Sequence, residues 1–226
     1  MLCGPDDFES SLSFEKLQSY LCMQLGHIIP DGYNVEMSAL EAAADYAMKR
    51  YLLCGQHVNN KYFTANGKVF FNHLNGDHYS MYLYFLSNEL HKRGVEDLAI
   101  RFYYLNKILH SVDVFYETEM PDIFLFGHAL GSVLGRGRYD NYFVVSQNCT
   151  VGNNDGAYPV FKEGVVMYAG AMVAGNCTIG ENTHIAAQCF IRNQNTEGNC
   201  VAFGSADSMQ TKPTDKSVKE IYFKNC

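Results

Sequence analysis

The sequence predicts an α+β chain. An all-helical N-terminal half, residues 1–110, leads into a parallel solenoid of short strands, residues 111–207, and then into a tail, residues 208–226. Three observations predict this order. Apolar residues recur at intervals of three and four up to His110, the period of an amphipathic helix. Downstream that spacing gives way to a six-residue repeat, which no helix can follow. With 226 residues, 47% hydrophobic and 18% charged, the chain can bury a large core and does not read as disordered.

In the helical half, Phe14, Leu17, Leu21 and Leu25 line one face of a first helix that Gly26 is expected to stop. Ser38 with Glu41 reads as a capping box opening a second helix, whose stripe of Leu40, Ala43, Ala44, Ala47 and Tyr51 ends at Gly55. Asp77 is the expected N-cap of a third, running through Met81, Phe85 and Leu86 to Gly94. A fourth carries Leu98, Phe102, Leu105 and Leu109 between about Glu96 and His110. His73 and His78 flank the turn signal Asn75-Gly76 and are expected to cap or to be solvated.

From Val165 the chain divides into VVMYAG, AMVAGN, CTIGEN, THIAAQ, CFIRNQ, NTEGNC and VAFGSA with no insertion. The first positions, from Val165 to Val201, are small or medium, and six of the seven third positions, from Met167 to Phe203, are apolar. A hexad fits a short strand and a tight corner with alternate side chains inward. One hexad cannot bury its own apolar face, so coils must stack. Six-residue spacing also links Val114, Met120 and Phe126, and again Phe143 and Cys149. The polar stretch Asn153 to Tyr158 interrupts it, as a loop leaving the stack would.

The net charge of −7 lacks the basic excess of a nucleic-acid grip, and no apolar run approaches the length of a membrane span. Met1 to Glu9 holds three acidic residues and no basic one, unlike a secretory leader. A cytoplasmic protein with no nucleic-acid or membrane partner is expected. Its eight cysteines form no CxxC pair and read as reduced thiols.

Three segments resemble the hexapeptide-repeat acyltransferases, and among them serine O-acetyltransferase. Gly127 to Gly135, GHALGSVLG, is similar to that family's DHATGIVVG; Gln147 to Gly152, QNCTVG, to QSVTLG; and Tyr158 to Asn176 to HPKIREGVMIGAGAKILGN. The likeness extends over about residues 60–207. It implies a left-handed parallel β-helix, a homotrimer with acetyl-CoA held between neighbouring β-helices, or a hexamer made through the helical half, and transfer of an acetyl group to the hydroxyl of a small polar acceptor without a metal.

Such transfer needs a base to take the hydroxyl proton, a task suited to a neutral imidazole. His128 and His184 are the two histidines of the solenoid segment, and His128 occupies the motif position. Asp113, fifteen residues earlier, has the spacing of the aspartate that the family pairs with its base, and is the expected orienting partner. The resemblance further points to Gly152, Asn153, Ala169 and Ala187 for acetyl-CoA, and Tyr158 is a candidate hydrogen-bond donor.

Two departures bear on the acceptor. The aspartate before the family's base is Gly127 here, and its Arg-His pair is Ala157-Tyr158. Groups suited to gripping the ammonium and carboxylate of free serine are thereby lost. The alternatives are N-acetylation of an amino sugar nucleotide and a non-catalytic trimeric scaffold or regulatory paralogue. A zinc hydratase on this fold would want three histidines where the solenoid has two.

Overall fold

A computed structural model describes residues 8–128 and 130–224. Among the described residues the N-terminal half holds four α-helices, α1 (Phe14–Ile28), α2 (Met37–His57), α3 (Gly76–Lys92) and α4 (Glu96–His110), and a short 3-10 turn at Lys61–Phe63. The expected stripes are buried along most of their length, as at Leu17, Leu21, Leu40, Ala47, Phe85, Leu98 and Phe102, but Phe14 at the start of α1 and Leu109 near the end of α4 are exposed. The ends differ in instructive ways. α1 runs through Gly26 to Ile28 and stops ahead of Pro30. Ser38 does not cap α2, since its hydroxyl donates to Glu36 Oε1 at 3.2 Å and the helix begins one residue earlier. Asn75, not Asp77, caps α3: its Oδ1 accepts the N–H groups of Asp77 and His78. Asp77 therefore stands inside the first turn.

This half is not all-helical. Strands β1 (Phe8–Ser10), β2 (Thr64–Ala65) and β3 (Lys68–Phe71) form a sheet in the order β1-β3-β2. Asn66 and Gly67, at φ of 51° and 79°, make the hairpin between β2 and β3. His78 is fully buried beneath it, contrary to the solvated or capping role expected.

The solenoid is a three-sided parallel β-helix. Its first face contains β4 (Phe124–Gly127), β7 (Phe143–Ser146), β10 (Val166–Met167), β13 (Thr183–Ile185) and β15 (Cys200–Phe203). The second contains β5 (Val133–Leu134), β8 (Thr150–Gly152), β11 (Met172–Ala174) and β14 (Phe190–Arg192). The third contains β6 (Arg138–Tyr139), β9 (Val160–Phe161) and β12 (Thr178–Ile179).

Three hexads make one coil, so Val166 pairs with His184 and Met172 with Phe190, eighteen positions on. Where residues 153–157 leave the stack the pairing lengthens, and Thr150 meets Met172 twenty-two positions later. The first positions Val165, Ala171, Cys177, Thr183 and Cys189 are all buried.

The first coil is also off the period, Phe124 pairing with Phe143 nineteen positions on and Val133 with Thr150 seventeen on, and the phase expected for the last coil slips as well. Ile185 pairs with Ala202, seventeen positions on, so one residue is missing from the last coil. Ala202 takes the inward place assigned to Phe203, which is partly exposed, and Thr196 is buried in place of Glu197. A period of two turns any one-residue slip into an exchange of faces. The buried Thr196 hydroxyl is satisfied by the Gly180 N–H at 2.8 Å, and lies 3.1 Å from Thr183 Oγ1.

β16 (Gln210–Pro213) turns back antiparallel along β15, and α5 (Val218–Tyr222) crosses the outside of the first face. Phe223 then bridges to Val58, and the Lys224 N–H donates to His57 O at 2.7 Å. At the opposite end, the Phe124 ring lies 5.9 Å from Tyr84 and 5.4 Å from Phe85 of α3, joining the helices and the solenoid in one core. The described cysteines carry free thiols; Cys3 and Cys226 lie outside the described residues. No described helix is long and apolar enough to cross a membrane.

Candidate active site

His128 follows β4 at the corner between the first and second faces, with φ of 56°. A non-glycine residue in the left-handed region needs support from its surroundings. Its carbonyl accepts the Leu130 N–H at 2.7 Å, and its own N–H donates to Asp77 Oδ1 at 3.0 Å. Gly131 follows at φ of 73°, where any other residue would be strained and its Cβ, 2.4 Å from Asn148 Oδ1, would push that side chain aside. The His128 side chain is 90% exposed, with Nδ1 3.7 Å from Asp77 Oδ2.

The carboxylate beside His128 is thus Asp77, not Asp113. Asp113 Oδ1 accepts the Tyr103 hydroxyl at 2.7 Å, and its Oδ2 lies 2.6 Å from Lys107 Nζ. Both partners project from α4, which runs alongside the first coil and captures the Asp113 side chain. His128 is not among its partners. His184, the other histidine of the solenoid, is buried; its Nε2 donates to Lys216 O at 3.1 Å and its Nδ1 lies 3.4 Å from the Tyr168 hydroxyl.

A cleft of about 570 Å³ separates the helical half from the first coil, lined among others by Tyr62, Asn75, Asp77, His110, Gly127 and His128. Burial pushes the His110 imidazole down to about 4, leaving it neutral near pH 7. Its Nδ1 sits 2.8 Å from Asn106 Oδ1 and so acts as donor, which leaves Nε2 an acceptor. Burial raises the Asp77 carboxyl above its ordinary value, while the His128 charge and N–H pull it back down. Among the described residues, neither lysine nor arginine lines this cleft. Gly127 has room for a side chain, a built Cβ finding only Val145 O at 3.8 Å, so its smallness widens the cleft rather than serving the backbone.

The other expected residues fall on two corners. Ala169 follows β10 and Ala187 follows β13, on the same ridge as His128 between the first and second faces. Gly152 closes β8, and Asn153 and Tyr158 flank the excursion before β9, on the corner between the second and third faces. Asn153 Oδ1 accepts the Gly156 N–H at 3.1 Å, and Tyr158 is exposed. Strands of the second face, two or three residues long at about 3.3 Å each, separate the two sets. Asp77 and His110 escaped the sequence reading. Asp77 looked like a helix cap, and no short-range spacing ties either residue to His128.

No family model matches the chain. A putative serine acetyltransferase of Schizosaccharomyces pombe is 26% identical over 132 residues, 56% of this chain and 48% of that protein, so the match spans about half the relative's length. The serine acetyltransferase of Neisseria gonorrhoeae superposes with a TM-score of 0.67 at 16% identity, over 91% of this chain and 81% of that one. That of Brucella abortus in complex with coenzyme A gives 0.60 at 16% identity, over 96% and 79%. The resemblance read from the three segments is thus present in sequence and in fold, including the helical half ahead of the left-handed β-helix.

Proposed function

We propose that this protein is an acetyl-CoA-dependent O-acetyltransferase in which His128 is the general base. One observation carries the reading: an imidazole held at a left-handed corner and exposed at the mouth of a cleft built by both halves of the chain. An alcohol is almost wholly protonated at neutral pH, so its attack on a thioester needs a proton acceptor at the oxygen. The imidazole takes the hydroxyl proton as the oxygen bonds to the acetyl carbon. As the tetrahedral intermediate collapses, the C–S bond breaks and the proton passes to the departing thiolate. The coenzyme A complex of the Brucella serine acetyltransferase supports the choice of donor.

The donor's arm is proposed to run along the ridge of Ala169 and Ala187, whose small side chains let it approach the backbone, with His128 at its head. Gly152, Asn153 and Tyr158 would meet the same donor from a second copy of the chain, since one copy carries them on another corner. That arrangement is the reason to propose a homotrimer. Among the described residues the cleft offers a carboxylate and a neutral imidazole but no lysine or arginine, which favours a small polar alcohol that bears no carboxylate.

Purified protein with acetyl-CoA and a panel of sugars, amino alcohols, serine and amino sugar nucleotides, followed by thiol release, tests the reading. His128→Ala is expected to lower the rate with the best acceptor by about 10²-fold or more. An undiminished rate in that variant removes His128 from the mechanism.

A further inference from the structure

We propose that Asp77, on the first turn of α3, is the carboxylate that positions His128 for proton abstraction, in the place that residue spacing assigns to Asp113. This rests on the reading of His128 as base. One carboxylate engages His128 twice, Oδ1 accepting its backbone N–H at 3.0 Å and Oδ2 lying 3.7 Å from Nδ1. The first contact holds the left-handed backbone from which the ring projects. The second puts a negative charge beside the ring that must become positive as it takes the proton.

Asp77 is itself held in place. It stands in the first turn of α3, where the helix dipole favours an acidic side chain, its N–H is bound by Asn75 Oδ1 at 3.0 Å, and its side chain is 22% exposed. Asp113, by contrast, is committed to Tyr103 and Lys107.

The ionisable groups lining the cleft are Tyr62 from the segment after α2, Asp77 of α3, His110 of α4 and His128 of the solenoid. His110 stays neutral near pH 7, so an imidazolium formed at His128 meets Asp77 as its one counter-charge there among the described residues. Abstraction would then depend on the helical half, because the positioning carboxylate comes from it.

Two measurements test this. In the first, which requires no turnover, the Asp77 carboxyl is titrated by carbon-detected NMR in the wild type and in His128→Ala. Its midpoint is expected to move upward in the variant, where the imidazolium no longer draws it down. An unmoved midpoint overturns the proposal. In the second, Asp77→Asn keeps the side-chain shape and an acceptor for the His128 N–H but removes the charge. It is expected to lower kcat at least about tenfold while KM stays within about threefold. Asp113→Asn is expected to change kcat by less than about threefold. The reverse ranking of the two variants overturns the proposal, whereas a wild type that transfers no acetyl group defeats the reading of function and leaves the titration to decide the contact.

Discussion

His78 is an imidazole without exposed surface whose Nδ1 accepts the Asn72 N–H at 3.2 Å; its Nε2 has no hydrogen-bond partner, and the ring lies 4.2 Å from that of Phe63. Burial depresses it to about 4 from the ordinary 6.5. In that window the unfolded chain binds a proton that the folded chain refuses, so stability is full above about pH 6.5 and declines as pH falls toward 4. The loss between pH 7 and pH 5 is roughly 2 kcal/mol for this one group. Urea unfolding at the two pH values is expected to show the loss, and His78→Leu to reduce the pH slope by that share, whatever its effect on stability at pH 7. Residue types at this scale were legible unevenly. His128 stood in a readable motif. Asp113 had the right separation, but a count of residues does not choose a rotamer, and α4 offered that side chain a hydroxyl and an ammonium. Asp77 lies fifty-one positions before His128, and packing of α3 on the first coil brings them together.

From Val165 on, the six-residue phase marked the strands β10 to β15 in advance because each inward side chain must meet its counterpart one coil on, whereas the first coil pairs off that phase, Phe124 with Phe143 and Val133 with Thr150. It failed where a polar side chain could replace an apolar one: Thr196 finds partners inside the last coil, so nothing in hydropathy marks the missing residue. The hairpin of β2 and β3 was signalled by Asn66-Gly67 and Val69-Phe70-Phe71, yet strands of two and four residues are too short to stand out between helices. The tail carries no repeat, and its role rests on a few contacts. Val218 and Phe223 are buried, the Phe223 ring lies 5.2 Å from Tyr142, and Lys219 Nζ reaches Glu163 Oε2 at 2.7 Å. Phe223→Ala is expected to cost about 3 kcal/mol or more, read as a lower denaturant midpoint at unchanged slope. A loss below about 1 kcal/mol would mean that the tail is not held by its apolar contacts.

For the whole molecule, the division of the expected donor contacts between two corners makes a specific demand on assembly. If His128 and Ala169 act with Gly152 and Asn153 of another copy, then His128→Ala and Gly152→Asp disable different halves of one shared site. Co-expression of the two inactive variants is expected to restore part of the activity, and light scattering to give about three times the 25.5 kDa chain mass. Monomeric mass together with failure to complement would refute the shared site. The return of the tail to α2 has a separate consequence. An ordinary stack of coils can fray from its free end, each coil melting with little penalty to those behind it. Here the final coil is stitched through Phe223 and Lys224 to the helix beside the opposite end, so the stack behaves as a closed hoop. Such a hoop has no loose rung at which unravelling can start cheaply, and the two halves should melt as a single cooperative body.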